Sequence, residues 1–215
     1  MDGAKINTTP LSTSTTLVFK DNSQPADAIE YCCVIRSLPY LSLTRLDIFY
    51  AVNKLSQFMH SPSQTHWAAI KILLRYLKHT LHHGLFLHRQ CPLILHGFSN
   101  SDWGVNRDDR TSTIVFVLYL GKNPISWCSK KQRTVPHSFT EVEYRVVAST
   151  TAEVNWVQSL LKELHVTLPS PPARYCDNVG ATYVCANWVF YSRMKHIAID
   201  YHFVRDQMSK GLLRV

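Results

Sequence analysis

The residues of this chain best suited to chemistry are a few acids and one amide at the ends of its regular elements. Asn100 and Asp102 close an apolar segment, Leu93-Ile-Leu-His-Gly-Phe-Ser-Asn-Ser-Asp-Trp103. Glu141 and Glu143 open a long helical stretch, and Asp177 ends a short strand at Tyr175-Cys-Asp177. In an α/β sheet, strand ends and helix starts converge at one edge. Carboxylates that meet there repel unless a cation lies between them, because like charges within about 4 Å raise each other's pKa. The chemistry on offer is therefore a divalent-metal site. Alternation puts Ile94, His96, Phe98, Asn100 and Asp102 on one strand face. Glu141 and Glu143 point in different directions, and Val146-Val147 follows Glu143 by three and four residues, which sets it beside the packed face of its helix. Spacing alone is equally compatible with three unrelated surface acids.

The elements that must position these residues follow from the period of the apolar positions. From Leu93 the order reads β-β-β-α-β-α-α, an α/β (α+β) pattern. Strands over 93–100, 112–120 and 125–129 form an antiparallel meander that turns at Gly121-Lys-Asn-Pro124. A long helix, capped by Ser138 or Thr140, runs to about Leu164; a strand over 173–176 follows the Pro169-Ser-Pro-Pro172 break, then helices over 179–186 and 199–210. The run 84–88 is also strand-like. Ahead of these lies a Thr-, Ser- and Pro-rich lead-in over 1–26, read as extended or mobile.

Residues 27–84 read as three helices. The first begins at Asp27, presents Ile29, Cys32, Cys33 and Ile35, and runs up to Pro39. The second starts near Thr44, with Asp47 three residues on in the manner of a capping box, and buries Ile48, Ala51, Val52, Leu55 and Phe58-Met59. The third, capped by Ser63, runs from Gln64 to about His79 and buries Trp67, Ile70, Leu73-Leu74 and Leu77. These helices either close their own bundle or lie on the sheet as a connection; the connection is the expectation. The domain reading is a lead-in over 1–26, a helical connection over 27–84 and a sheet domain over 85–215.

At 215 residues, 46% hydrophobic and 18% charged, the chain has room for one large domain or two small ones. A formal net charge of +8, with eleven histidines besides, favours an anionic partner, nucleic acid first. Nine Lys and Arg face five acids up to Pro92, and fourteen face ten after it, so the basicity is not confined to a tail. Lys71, Arg75 and Lys78 fall opposite the buried stripe of the third helix, and Lys130, Lys131 and Arg133 form a basic loop after the third strand. Each is either a phosphate contact or part of a solvated face. His79 and His83 have i, i+4 spacing, but Gly84 ends the helix and no acid lies near to orient them, so they are not read as a metal site. The six cysteines show no C-x-x-C spacing and no charged-then-apolar leader opens the chain, so the expectation is reduced thiols in an intracellular protein of cytoplasm or nucleus. No window approaches the roughly 18 apolar residues of a membrane span. Oligomeric state is not set by these features.

Several motifs follow one another in a specific order. They are Tyr31…Tyr40-Leu-Ser-Leu-Thr-Arg-Leu-Asp-Ile48…Ala51-Val-Asn-Lys54, His66-Trp67…Leu74-Arg-Tyr-Leu-Lys78, and Ser99-Asn-Ser-Asp-Trp103…Arg110-Thr-Ser-Thr113. Then come Ile125-Ser-Trp-Cys-Ser-Lys-Lys-Gln132, Thr140-Glu-Val-Glu-Tyr144, Cys176-Asp-Asn-Val-Gly-Ala-Thr182 and Lys195-His-Ile197…Asp200-Tyr-His-Phe203. With these, from about Thr9 onward, the chain resembles the ribonuclease H domain of copia-type retrotransposon Pol polyproteins, together with the end of the reverse transcriptase before it. The resemblance implies a ribonuclease H-like mixed sheet flanked by helices. It also implies cutting of the RNA strand of an RNA–DNA hybrid with two Mg²⁺ (or Mn²⁺) held by four carboxylates.

By this resemblance the catalytic set is Asn100, Glu143 and Asp177. The family's first aspartate, in a Ser-Asp-Ala-Asp-Trp-like motif, falls on Asn100, its glutamate on Glu143 and its second aspartate on Asp177. The fourth acid and the last strand are expected beyond Val215. Glu143 and Asp177 are the metal ligands, with Asp102 a further candidate, although it lies about 6.6 Å along the strand from Asn100, too far for a simple substitution. Asn100 can still coordinate but lacks the charge expected to bridge both metals, a loss worth about 4 kcal/mol, or roughly a thousandfold in rate. Arg36, Leu46, Ile114-Val115 and Ala198 also depart from the family's usual glycine, proline, glycine-containing pair and acid. Such scatter suits a decayed copy. The reading is a degenerate, inactive ribonuclease H-like domain that keeps nucleic-acid affinity through Lys71, Arg75, Lys78, Lys130, Lys131 and Arg133; the alternative is an active or residual hybrid ribonuclease within a reverse transcriptase polyprotein. Polymerase motifs are absent, which excludes reverse transcription by this segment. The side chains at 100, 143 and 177 are expected to crowd at one rim, showing an amide and two acids to solvent.

Overall fold

The computed structural model describes residues 5–186 and 197–212, and the chain divides into two compact units, 1–86 and 87–215. In the first unit, α1 (Ala28–Ser42), α2 (Leu46–Ser56) and α3 (Gln64–His79) bury their apolar stripes against one another. Tyr31, Ile35 and Leu38 meet Ile48, Ala51, Val52 and Leu55 of α2 and Ala69, Ile70, Leu73 and Tyr76 of α3. The helices close a core of their own. Leu17 and Phe58 complete that core, and the stretch before α1 is tied to it: Ser63 Oγ donates to Asp21, and the Ala26 N–H donates to the Pro62 carbonyl.

Two helix ends differ from expectation. Pro39 lies inside α1, within its last turn, and the buried stripe is Tyr31, Ile35, Leu38 and Ser42, while Ile29 and Cys33 face solvent. α2 begins at Leu46 behind Arg45 with no side-chain cap, because Thr44 Oγ1 donates back to the Leu41 carbonyl and Asp47 is taken by Arg45 and Tyr76. α3 starts as expected at Ser63, whose capping-box partner is His66.

The second unit contains β1 (Leu95–Ser101), β2 (Thr113–Leu120), β3 (Asn123–Lys131), α4 (Phe139–Glu163), β4 (Ala173–Cys176), α5 (Val179–Ala186) and α6 (Ala198–Ser209). The sheet order is β3-β2-β1-β4, antiparallel across the first three and parallel between β1 and β4. This is the mixed, helix-flanked sheet of the ribonuclease H-like class. The run 84–88 is not a strand; the His88 N–H donates to Asn123 Oδ1, and its carbonyl accepts from Asn123 Nδ2. Lys195 and His196 of the Lys-His-Ile motif lie outside the described residues.

On β1 the alternation places Leu95, Gly97, Ser99 and Ser101 on the buried face, and Phe98 and Asn100 on the open one. A Cβ at Gly97 would come 2.5 Å from Leu118 Cδ2, so that side chain would have to shift to admit one. α4 is capped by Ser138 and covered on two sides in its first half. Val142 and Val146 meet Ile114, while Tyr144, Val147 and Ala148 meet Ala181, Val184, Tyr201 and Val204. Farther along, Val154, Val157 and Leu161 pack on Leu95, Phe116 and Leu118. Leu160 and Leu164, late in the helix and just past its end, are exposed. Among the described residues no helix is long and apolar enough to cross a membrane.

Candidate metal centre

Glu143 sits in the second turn of α4 and is fully buried. Its Oε1 accepts from the Ser101 N–H at 3.0 Å and from Ser101 Oγ at 2.7 Å, and its Oε2 receives the Cys176 thiol at 3.7 Å. Burial pushes its pKa up, the Ser101 hydrogen bonds act against that, and the charge of Asp177 pushes it up again. One ligand atom each from Glu143, Cys176 and Asp177 lies within 4.8 Å of the others. Asp177 is exposed just past the end of β4. The parallel register pairs Ser99 with Cys176, so Asn100 and Asp177 are each the next residue along adjacent strands. Both line an open cleft of about 410 Å³ whose walls include Phe98 and Tyr175, two rings stacked at 5.1 Å. Asn100 Oδ1 accepts from the Ser101 N–H at 2.6 Å, the same N–H that reaches Glu143.

Positions 100, 143 and 177 are therefore gathered at one end of β1 and β4. One detail differs from expectation: Glu143 does not face solvent, because α4 covers the β1 face on which Ser101 lies. Asp102 is not drawn into the group. Its carboxylate accepts from the Thr113 N–H, clasping β1 to β2. Glu141, the other acid of the helix start, accepts from the His137 N–H and pairs with Arg145 at 2.8 Å. Two participants escaped the sequence reading, Ser101 and Cys176. Strand alternation carries a signal for Ser101, since it sets Ser101 opposite Asn100 and hence toward the helix that brings Glu143.

The six basic candidates are dispersed and partly engaged. In the first unit Lys71 lies 5.7 Å over the Trp67 ring, Arg75 Nε donates to the Lys71 carbonyl, and Lys78 is exposed. In the second, Lys130 and Lys131 belong to β3 rather than to a loop, because β3 runs two residues past the expected end. Lys131 pairs with Asp109 at 2.6 Å. Lys130 and Arg133 are exposed and, with Arg145 and Asp200, line a cleft of about 290 Å³. Burial raises the pKa of Asp200, with Arg145 acting against it.

The two carboxylates of the group, Glu143 and Asp177, are ligands that Mg²⁺ and Mn²⁺ take; the Cys176 thiol beside them is a softer donor, and Asn100 offers an amide oxygen in the same cleft as Asp177. The mutual repulsion of Glu143 and Asp177 is what such an ion would relieve.

Against known proteins, the chain is 54% identical over 212 residues to the retrovirus-related Pol polyprotein from transposon RE1 of Arabidopsis thaliana, covering 99% of this chain and 14% of that protein. It is 53% identical over 212 residues to the corresponding polyprotein from transposon RE2 of the same plant, covering 99% of this chain and 15% of the relative. It is 34% identical over 188 residues to the polyprotein from transposon TNT 1-94 of Nicotiana tabacum, covering 87% and 14%. No family profile and no solved structure matches the chain.

Proposed function

We propose, from the premise that this chain belongs to the retrovirus-related Pol polyproteins of copia-type transposons, that residues 85–215 are a ribonuclease H-like domain whose ancestral reaction is metal-dependent cleavage of RNA in RNA–DNA hybrids and whose catalysis is disabled. The observation that carries the proposal is the convergence of Glu143 and Asp177 beside a neutral Asn100. A divalent ion held there would activate water and neutralise charge developing on a phosphoryl oxygen. The chain's own residues supply the rest. Asp177 offers an exposed carboxylate, and Glu143 presents the oxygen that Ser101 leaves free. Asn100 offers an amide oxygen of the right shape without charge. The missing charge is worth about 4 kcal/mol of transition-state stabilisation, roughly a thousandfold in rate.

Nucleic acid is the partner that the net charge of +8 favours, with Lys130 and Arg133 exposed cations just ahead of the site helix. A cleavage assay on an RNA–DNA hybrid, run in Mg²⁺ and in Mn²⁺, tests the reading. The unmodified chain is expected to leave the hybrid intact, and Asn100→Asp to raise cleavage by up to about a thousandfold. Cleavage by the unmodified chain that Glu143→Gln abolishes overturns it.

A further inference from the structure

We infer that Ser101 is a positioning residue, whose hydroxyl decides which oxygen of Glu143 faces a divalent cation. The inference rests on reading this rim as a metal centre. Ser101 is 8% exposed and lies on the β1 face that α4 covers, directly against Glu143. Both of its donors end on one atom: the N–H at 3.0 Å and Oγ at 2.7 Å meet Oε1. A carboxylate oxygen has two lone pairs, so Oε1 is saturated. Oε2 is left on the side of Cys176 and Asp177, where the hydrogen bond it receives among the described residues is from a thiol at 3.7 Å, a weak donor that a cation displaces.

The hydroxyl matters more than the amide because the amide is shared. Asn100 Oδ1 draws on the same Ser101 N–H at 2.6 Å. Without the hydroxyl, Oε1 would keep only a divided hydrogen, and the carboxylate could turn about its last torsion. Asn100 and Ser101 stand side by side, so the neutral amide and the hydroxyl that holds Glu143 are neighbours on β1.

The test is Mn²⁺ binding to the full chain, followed by the loss of the free-ion electron paramagnetic resonance signal, so no activity is needed. Ser101→Ala is expected to weaken affinity about tenfold, as loss of an outer hydrogen bond to a ligand does, while Ser101→Thr stays within about threefold of the unmodified chain. Ser101→Val has the volume of threonine without its hydroxyl, and it should bind like Ser101→Ala; should the alanine variant fail to fold, the threonine and valine pair decides. Unfolding midpoints without metal identify any variant whose fold is lost. Equal affinity in the threonine and valine variants overturns the role of Ser101 while leaving the metal centre standing. An unmodified chain that takes up no Mn²⁺ at millimolar concentration overturns the metal-centre reading and this inference with it.

Discussion

Each unit draws polar side chains together, and the two groups follow opposite electrostatic plans. In the helical unit, Arg45 is 6% exposed. It donates to Asp47 through Nε at 2.9 Å and Nη2 at 2.7 Å, and to the Thr80 carbonyl through Nη1 at 2.8 Å. Tyr76 adds its hydroxyl to the same carboxylate at 2.7 Å. Opposite charges meet there, and the Arg45 hydrogen bonds hold Asp47 below the usual carboxylate range. At the sheet edge, two acids and a thiol meet instead, and the burial of Glu143 pushes its pKa up. A cluster that serves the fold balances its charges; one suited to a ligand leaves the balance to be completed from solution.

The largest expected effect breaks the balanced cluster. Arg45→Ala leaves Asp47 without its cation, takes away the Arg45 donor to Thr80 Oγ1, and leaves the Thr80 carbonyl with the His83 N–H. It should cost about 3 kcal/mol, the lower end of the range for breaking a buried pair, because Asp47 is partly exposed. Urea unfolding followed by circular dichroism measures it. A change within a few tenths of a kcal/mol would show that the two clusters are not different in kind.

The opposite sign is expected at the sheet edge. Glu143→Gln keeps an oxygen for Ser101 to donate to and removes a buried charge that Asp177 opposes. The metal-free chain should gain about 1 kcal/mol in the same unfolding experiment. The variant should also lose Mn²⁺ uptake. Destabilisation in the absence of metal would mean that the carboxylate is part of the balanced structure after all.

What the sequence made legible follows from how local each determinant is. Ser63 caps α3 through an atom three residues from its partner, so that helix end could be read directly. Asp47 could not be read that way: its spacing suggested a capping box, but Tyr76, 29 residues away, competes for it. The run 84–88 has strand-like residues, but its end at His88 bonds to the Asn123 side-chain amide. The burial of Glu143 was hidden because α4 is covered on both sides in its first half, which erases the single apolar stripe that periodicity detects. Ser101 and Cys176 were missed for a related reason. Alternation sets Ser101 on the face opposite Asn100, but only a residue 42 positions on, Glu143, shows what covers that face.

The smallest effect is a divergence in pH response, and it is the most direct contrast of the two plans. Asp47 is held below its ordinary value of 3.8 by Arg45. For Asp21 burial pushes upward, but hydrogen bonds involving Ser63, Ser23 and Thr65 outweigh it, and the net shift is also downward. A carboxyl with a depressed folded pKa stabilises at pH above its unfolded value, and that contribution disappears as pH falls through the folded one. Glu143 and Asp200 are raised by burial above 4.5 and 3.8. Their contribution is fully present below those ordinary values and is lost as pH rises through the raised ones. Hydrogen exchange on the metal-free full chain, corrected for intrinsic rates, should therefore separate the regions. Protection in β1 and α4 should increase as pH falls from neutral toward 4.5, while α2 and α3 stay level and weaken only below 3.8. Partial exposure and solvent screening keep both changes small. A common titration in the two regions would show that the acids at the sheet edge are balanced like those of the helical unit, and the case for a site awaiting a cation would fall with the contrast.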